Sequence, residues 1–221
     1  MEPQELAELP YAAALQPHRG GLSPDGNYDT IHFDQLVFDD ASAANARFLE
    51  CAFTRVSFQA GQLRRARFSQ VWLRDVRVIG TVLAETDWQD AAFATTVVAG
   101  AETFGAQLRK VTFRECKLDS VNLRDATLTD VTFDDCLLRE VDFGGAALTR
   151  VSFPGSRLDQ ADLSRVMMKD VDLRGAELNI TITPGSLRGA IITHAQLMAA
   201  APLLAETLGI VVTDGGESGQ P

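Results

Sequence analysis

The stretch that decides the fold runs from residue 111 to residue 143 and reads VTFRECKLDSVNLRDATLTDVTFDDCLLREVDF. A large apolar residue returns at every fifth position in it: Phe113, Leu118, Leu123, Leu128, Phe133, Leu138 and Phe143. A step of five residues leaves the apolar face of an α-helix, and in a single strand an odd step alternates between the two faces. The period therefore belongs to a unit larger than a helical turn or a flat strand.

The same spacing extends from Phe33 to Leu178 without an insertion, and only Ala43 and Thr103 in this column are not large and apolar. A second column, two residues earlier, holds small residues such as Val121. Residues two apart in an extended segment point the same way. Each unit is thus predicted to be three extended residues with two inward side chains, one small and one large.

Turn-forming residues follow many of the large residues, as at Asp134-Asp135 and Gly144-Gly145. A bend after every three extended residues keeps the apolar side chains facing inward. The period of five is therefore that of a polygonal coil. Sequence spacing alone leaves the number of its sides open.

The motif small-polar-Leu/Phe-polar-polar, as in Val121-Asn122-Leu123-Arg124-Asp125, resembles that of the pentapeptide repeat family. The resemblance covers residues 31–180 and implies an all-β fold, a right-handed, four-sided parallel β-helix with four units per coil. With adjacent coils ~4.8 Å apart, it implies about 7.5 coils and a rod roughly 36 Å long. The ends of such a rod need caps, because the terminal coils expose core and unpaired backbone.

The repeat divides the chain into four segments. Residues 1–30 lack the motif and are rich in proline and glycine, which predicts an irregular N-terminal cap over the first coil. Residues 31–180 form the β-helix, residues 181–213 a C-terminal helical element, and residues 214–221 a disordered tail.

The helical part of the C-terminal element is predicted to begin at Thr193, a suitable N-cap, and to end near Gly209. Pro202 is expected to split it into two short helices, and Ile210-Val211-Val212 to form a short strand. One apolar stripe along it either caps the last coil or forms a twofold interface, as in family members that dimerise through C-terminal helices. Its members are Leu197, Met198, Ala201, Leu204 and Leu208.

The units between residues 76 and 105 are less regular than the rest. Either Phe104 replaces the undersized Thr103 inside the coil, or Phe104 points outward. The outward positions nearby include Trp72, Ile79, Val82 and Val97. They are either scattered surface hydrophobes or a contact patch for a protein partner.

Catalytic and ligand-binding patterns are absent from the sequence, which predicts a protein without enzymatic activity, cofactor or metal. His18, His32 and His194 lie in the N-terminal cap, the first unit and the C-terminal element, and they are not expected to share a site. The odd count of three cysteines, without a CxxC pair, predicts a reducing cytoplasm, and Cys116 and Cys136 should stack inside adjacent coils. No apolar run is long enough to span a membrane, the first residues do not form a signal peptide, and the interior is expected to be filled by side chains.

The net charge of −10 suggests a second function through the family resemblance. Some members of the family bind type II topoisomerases such as DNA gyrase by presenting a DNA-like acidic rod. Acids and bases alternate here along every side of the repeat, and no basic stripe for nucleic acid is present. One weak acidic cluster comprises Asp119, Asp134, Asp135, Glu140 and Asp159. The sequence therefore favours a protein-interaction rod of unknown partner, with a gyrase-binding DNA mimic as the alternative.

Overall fold

The computed structural model describes residues 5–213. The backbone forms a solenoid of parallel strands in which the strands from Asn27 to Asp159 pair with residues 20 positions later, as in Phe113 with Phe133 and Leu118 with Leu138. Twenty residues are four pentapeptides, so each coil has four faces. The solenoid has about eight coils, and the predicted four-sided parallel β-helix is confirmed.

One coil defines the four faces, which are named here by its inward large residues. Phe133 lies on the first face, Leu138 on the second, Phe143 on the third and Leu148 on the fourth. Among residues 5–213, the second face is an 8-stranded sheet. Its strands are Val37–Asp39, Ser57–Gln59, Arg77–Ile79, Val97–Ala99, Lys117–Asp119, Leu137–Arg139, Arg157–Asp162 and Glu177–Thr181.

The first and fourth faces share a 14-stranded sheet within the same residues. Four long strands span both faces: Asp87–Ala94, Gln107–Arg114, Thr127–Asp134 and Ala147–Ser152. The first face also holds Gln16–Pro17, Ile31–Asp34, Ala52–Thr54, Trp72–Arg74, Val171–Asp172 and Ala190–Ile191, and the fourth holds Asn27–Asp29, Arg47–Leu49, Arg67–Ser69 and Met167–Lys169. The third face is joined by single bridges, such as Asn122 with Asp142.

The core consists of the two columns that the sequence predicted. Nearly all the large inward residues from Phe33 to Leu173, and the small residues two positions before them, are buried. Identical positions stack coil upon coil: the rings of Phe113, Phe133 and Phe153 are parallel, with centroids 4.9 Å and 5.0 Å apart. Cys116 and Cys136 also stack as predicted, since the Cys116 backbone N–H donates to the Cys136 Sγ over 3.4 Å.

The bends between faces lie at the last residue of each pentapeptide. From Asp25 to Gly175 every fifth residue has a positive φ, which is +48° to +60° at the positions that are not glycine. This left-handed conformation is one that glycine, asparagine and aspartate adopt most readily. The second residue of pairs such as Asp134-Asp135 therefore turns the chain, as the sequence pattern indicated.

The N-terminal segment has two parts. Residues 16–29 cover the first coil, where the ring of His18 lies 4.6 Å from that of Phe33, and Tyr28 stacks on Phe48 at 4.9 Å. Residues 5–15, with 3-10 helices at Leu6–Glu8 and Ala12–Ala14, lie along the outside of the first face instead.

The C-terminal element is one helix, α1, spanning His194–Thr207, so the prediction that Pro202 splits it is wrong. The φ of proline fits a helix, and packing of Leu203 and Leu204 against the core holds the turns that follow it. The predicted strand at residues 210–212 is also wrong: these residues are exposed and have no partner strand.

The interior of the rod is not completely filled, which corrects a further expectation. A cavity of about 70 Å³ lies along the axis in the middle coils. Its lining includes Val78 and Val98, which are smaller than the Leu and Phe residues at the same place in other coils, and Thr103.

Candidate functional site

Along one edge of the irregular middle coils, two adjacent bends are glycines and carry no side chains. Gly80 and Gly100 are the bends between the second and third faces in adjacent coils, and a Cβ on Gly100 would lie only 4.0 Å from the Gly80 Cα. Bare backbone at this edge leaves the outward residues on either side of it accessible to one partner surface. We call this region the glycine edge.

Apolar residues point outward on the two faces that meet at the glycine edge. Ile79 and Val97 point outward on the second face, Val82 and Phe104 on the third. The three aliphatic side chains are half-buried, and Phe104 is 44% exposed. The second and third faces therefore both present apolar side chains here, and Phe104 is the most exposed of them.

The orientation of Phe104 follows from the position of its neighbour. Thr103 points inward and is buried, and its hydroxyl donates to the Asn122 carbonyl over 2.6 Å. This bond satisfies a polar group that would otherwise be costly inside the core. Because Thr103 occupies the inward position, Phe104 must point to solvent.

Trp72 does not join this surface. It points outward on the first face but is only 2% exposed, because Leu9 and Ala52 pack against it. Tyr11 and Leu15 lie at the edge of the same cluster. The prediction of Trp72 as a surface contact fails because residues 5–15 fold back over it.

Ion pairs cover much of the remaining surface and connect adjacent coils. Examples are Arg65 with Glu85 at 2.7 Å, Lys110 with Asp90 at 3.6 Å and Arg150 with Asp130 at 2.5 Å. Among the described residues, no such pair lies on the second or third face between residues 86 and 118. The glycine edge is thus a gap in the ion pairs between coils.

Arginines neutralise most of the predicted acidic cluster. Asp119 pairs with Arg139, Asp134 with Arg114 at 3.2 Å, and Asp159 with Arg157 at 4.0 Å. Only two members, Asp135 and Glu140, have no ion pair with any residue from 5 to 213, and Glu140 accepts a hydrogen bond from the Ser120 hydroxyl at 2.9 Å. The unpaired negative charge of this acidic cluster is therefore small.

The pKa values of the paired acids reflect these contacts. The Arg139 guanidinium lowers the pKa of Asp119 by hydrogen bonding, and Arg150 does the same for Asp130. Both carboxylates lie on the surface, so each pair contributes little to stability. The ion pairs neutralise the outside of the rod more than they hold it together.

The predicted stripe on α1 has two different environments. Leu204 packs against the core, whereas Leu197, Met198, Ala201 and Leu208 are exposed. The sequence interpretation missed Gln196, whose amide donates to the carbonyls of residues 173 and 176 over 2.7 Å and 2.8 Å. The Thr-x-x-Gln capping box at residues 193–196 is the signal that could have found it.

Side chains that could support other chemistry are few in the described part of the chain. No group of three His, Cys, Asp or Glu residues within 5–213 could hold a metal ion. The three cysteines are free and buried, and burial raises the pKa of the Cys51 thiol to about 11. No helix in this range is long and apolar enough to cross a membrane.

The chain is a four-sided parallel β-solenoid whose adjacent coils are joined on the surface by ion pairs, except at the glycine edge. Residues 86–163 match the family model described as "Pentapeptide repeat region", and the resemblance to the pentapeptide repeat family is thereby confirmed. No curated protein is significantly similar to the chain.

Three solved structures illustrate the wider similarity. Trypsin-treated QnrB1, a plasmid-mediated fluoroquinolone resistance protein, is 16% identical, with a TM-score of 0.42, over 88% of this chain and 100% of the other. HetL, involved in heterocyst differentiation regulation in Nostoc sp. strain PCC 7120, is 18% identical, with a TM-score of 0.29, over 76% and 90%. A pentapeptide repeat protein of the Arabidopsis thaliana thylakoid lumen is 12% identical, with a TM-score of 0.35, over 58% and 88%.

Proposed function

We propose that the chain is a non-enzymatic, cytoplasmic rod that binds another protein at the glycine edge. The observation that carries the proposal is the exposed ring of Phe104 among half-buried aliphatic residues, where the ion-pair ladders stop. Protein interfaces commonly combine an apolar centre, often with an aromatic anchor, and a charged rim. Arg77, Glu102 and Lys117 supply such a rim here.

The partner expected from this surface is a protein with an apolar cleft that accepts an aromatic ring. The bare backbone at Gly80 and Gly100 allows the partner to approach closely without meeting side chains. The parallel strands on the second face hold Ile79 and Val97 in fixed positions, which reduces the entropy lost on binding.

The test is affinity capture from the native host with tagged protein, using Phe104→Asp and a matched control. Met167→Asp places the same charge at another exposed apolar position, on the fourth face. We expect Phe104→Asp to lower the affinity for a specific partner at least about thirtyfold, which corresponds to the roughly 2 kcal/mol of a lost hot spot. Met167→Asp should bind like the wild type, and unchanged binding by Phe104→Asp would contradict the proposal.

The alternative is a DNA mimic that binds DNA gyrase, and the exposed Asp135 and Glu140 favour it. Against it, three of the five acids in the cluster pair with arginine, and residues 31–180 hold only four more acids than bases. Long-range attraction to a basic DNA groove depends on net charge. We therefore expect weak or no inhibition of gyrase supercoiling at micromolar protein. Strong inhibition that disappears in the variant Asp134→Asn, Asp135→Asn, Glu140→Gln would make the mimic the better account.

We also propose that the exposed face of α1 pairs with a second copy of the chain. Leu203, Leu204 and Gln196 attach one face of the helix to the rod, so the helix can cap the last coil and still present Met198 on its other face. Capping and dimerisation are then compatible rather than alternative roles.

A further inference from the structure

The middle of the core is packed less densely than the part that follows it. The eight inward large positions from Leu128 to Leu163 are 0–1% exposed. The eight from Val78 to Phe113 are each 6–9% exposed, although they also point inward. All eight line the internal cavity of about 70 Å³.

The cavity results from undersized residues at consecutive places in the repeat. On the second face Val78 and Val98 occupy a column that is Phe in the earlier coils and Leu in the later ones. On the third face Thr103 occupies a column that holds Leu123 and Phe143 in the next coils. These neighbouring losses of volume lie in adjacent coils, so they join into one cavity.

The polar groups near the cavity are already satisfied. The Thr81 hydroxyl donates to the Ile79 carbonyl at 3.2 Å, and the Thr103 hydroxyl donates to Asn122. The Trp88 indole N–H donates to the Thr86 hydroxyl at 3.0 Å. A buried water needs two to four polar partners, and the lining of this cavity exposes almost no polar surface, so the cavity is dry.

We propose that this cavity is a binding site for a single small apolar molecule. Its volume is several times the roughly 10–15 Å³ that a water molecule needs, and about half of the ~150 Å³ of an apolar protein cavity that holds benzene or xenon. The site therefore suits a monatomic or diatomic apolar guest and excludes an aromatic ring. It is independent of the docking proposal, because its lining points inward and Phe104 points outward.

Xenon is the probe. Its binding to the full chain is measured by ¹²⁹Xe NMR, and the stability of each variant is measured by thermal unfolding. Val98→Leu adds one methylene inside the cavity, and Val78→Leu does the same one coil earlier in the same column. Val151→Leu adds the same methylene where the core is dense and Val151 is fully buried, so it is the matched control.

The wild-type protein should shift the ¹²⁹Xe resonance in a saturable way, and the Val151→Leu control should give the same saturable shift. Val98→Leu should abolish the saturable shift and raise the Tm by about 2–4 °C, whereas Val151→Leu should lower the Tm. The absence of a saturable xenon shift in the wild type would overturn the proposal. A Tm that falls in Val98→Leu and Val78→Leu as it does in Val151→Leu would overturn it as well.

Discussion

Replacing Phe133 by alanine tests the stacked core directly. Phe133 has no measurable exposure, and its ring lies parallel to those of Phe113 and Phe153, at interplanar angles of 6° and 7°. The substitution removes one ring from the middle of the column. The neighbouring rings are held by strands that pair on both sides, so they cannot close the gap.

The cost follows from the loss of a fully buried ring at a site that cannot relax. Phe→Ala substitutions in protein cores cost about 3–5 kcal/mol, and the rigid surroundings place this one near 4–5 kcal/mol. That is a large fraction of the roughly 5–15 kcal/mol that stabilises a typical domain. Phe133→Ala should therefore leave the rod close to unfolding.

Urea denaturation followed by far-UV circular dichroism measures the change in free energy of unfolding. The matched control is Phe104→Ala, which removes the same ring from the surface and should cost at most about 0.5 kcal/mol. A loss below about 2 kcal/mol for Phe133→Ala, or equal losses for the two variants, would refute the stacked-core interpretation.

Three further predictions concern the bends, the ion pairs and the helix. Gln160 has a φ of +56°, so Gln160→Val should cost about 1–2 kcal/mol in urea denaturation, since β-branched residues are disfavoured there. Arg150 lowers the pKa of Asp130, so this pair stabilises the fold above the ordinary pKa of aspartate and loses that contribution as the pH falls below about 4. Arg150→Gln should accordingly show a smaller loss of stability than the wild type between pH 5 and pH 3. In light scattering, Met198→Glu should convert a dimer into a folded monomer, because Met198 is exposed and its loss does not disturb the rod.

Each of these predictions has a control. Gln160→Gly should stay within about 0.5 kcal/mol of the wild type, because glycine accepts a positive φ, and a cost equal to that of valine would contradict the argument. Arg67→Gln, at an arginine without an ion pair among residues 5–213, should keep the wild-type pH dependence. A wild type that is monomeric at high concentration would remove the dimer proposal. Leu204→Glu is a poorer test than Met198→Glu, because Leu204 packs against the core.

The periodic core could be predicted from sequence because its rule is local. Inward side chains are removed from water, so nearly all of them are apolar, and the large residues from Phe33 to Leu173 identify the interior directly. The number of faces required the family resemblance, since a period of five is compatible with any polygon. The 20-residue pairing of the strands now fixes it at four.

Contacts between residues far apart in the sequence could not be predicted from the five-residue repeat. Trp72 occupies an outward position, and only the return of Leu9, 63 residues earlier in the chain, buries it. Thr103 and Phe104 could each have filled the inward place, and the choice depends on a hydrogen bond to Asn122 in the next coil. The stripe on α1 depends on which face the rod covers, which the helical period alone does not specify.

The most direct test of the proposed function is site-specific photo-crosslinking in the native host, with a photoreactive phenylalanine at one position at a time. Phe104 marks the glycine edge and Asp135 marks the remaining exposed acidic charge. The docking proposal predicts a discrete crosslinked protein from position 104 and none from position 135. A discrete product from position 135 alone would contradict it and would locate the binding surface on the acidic cluster.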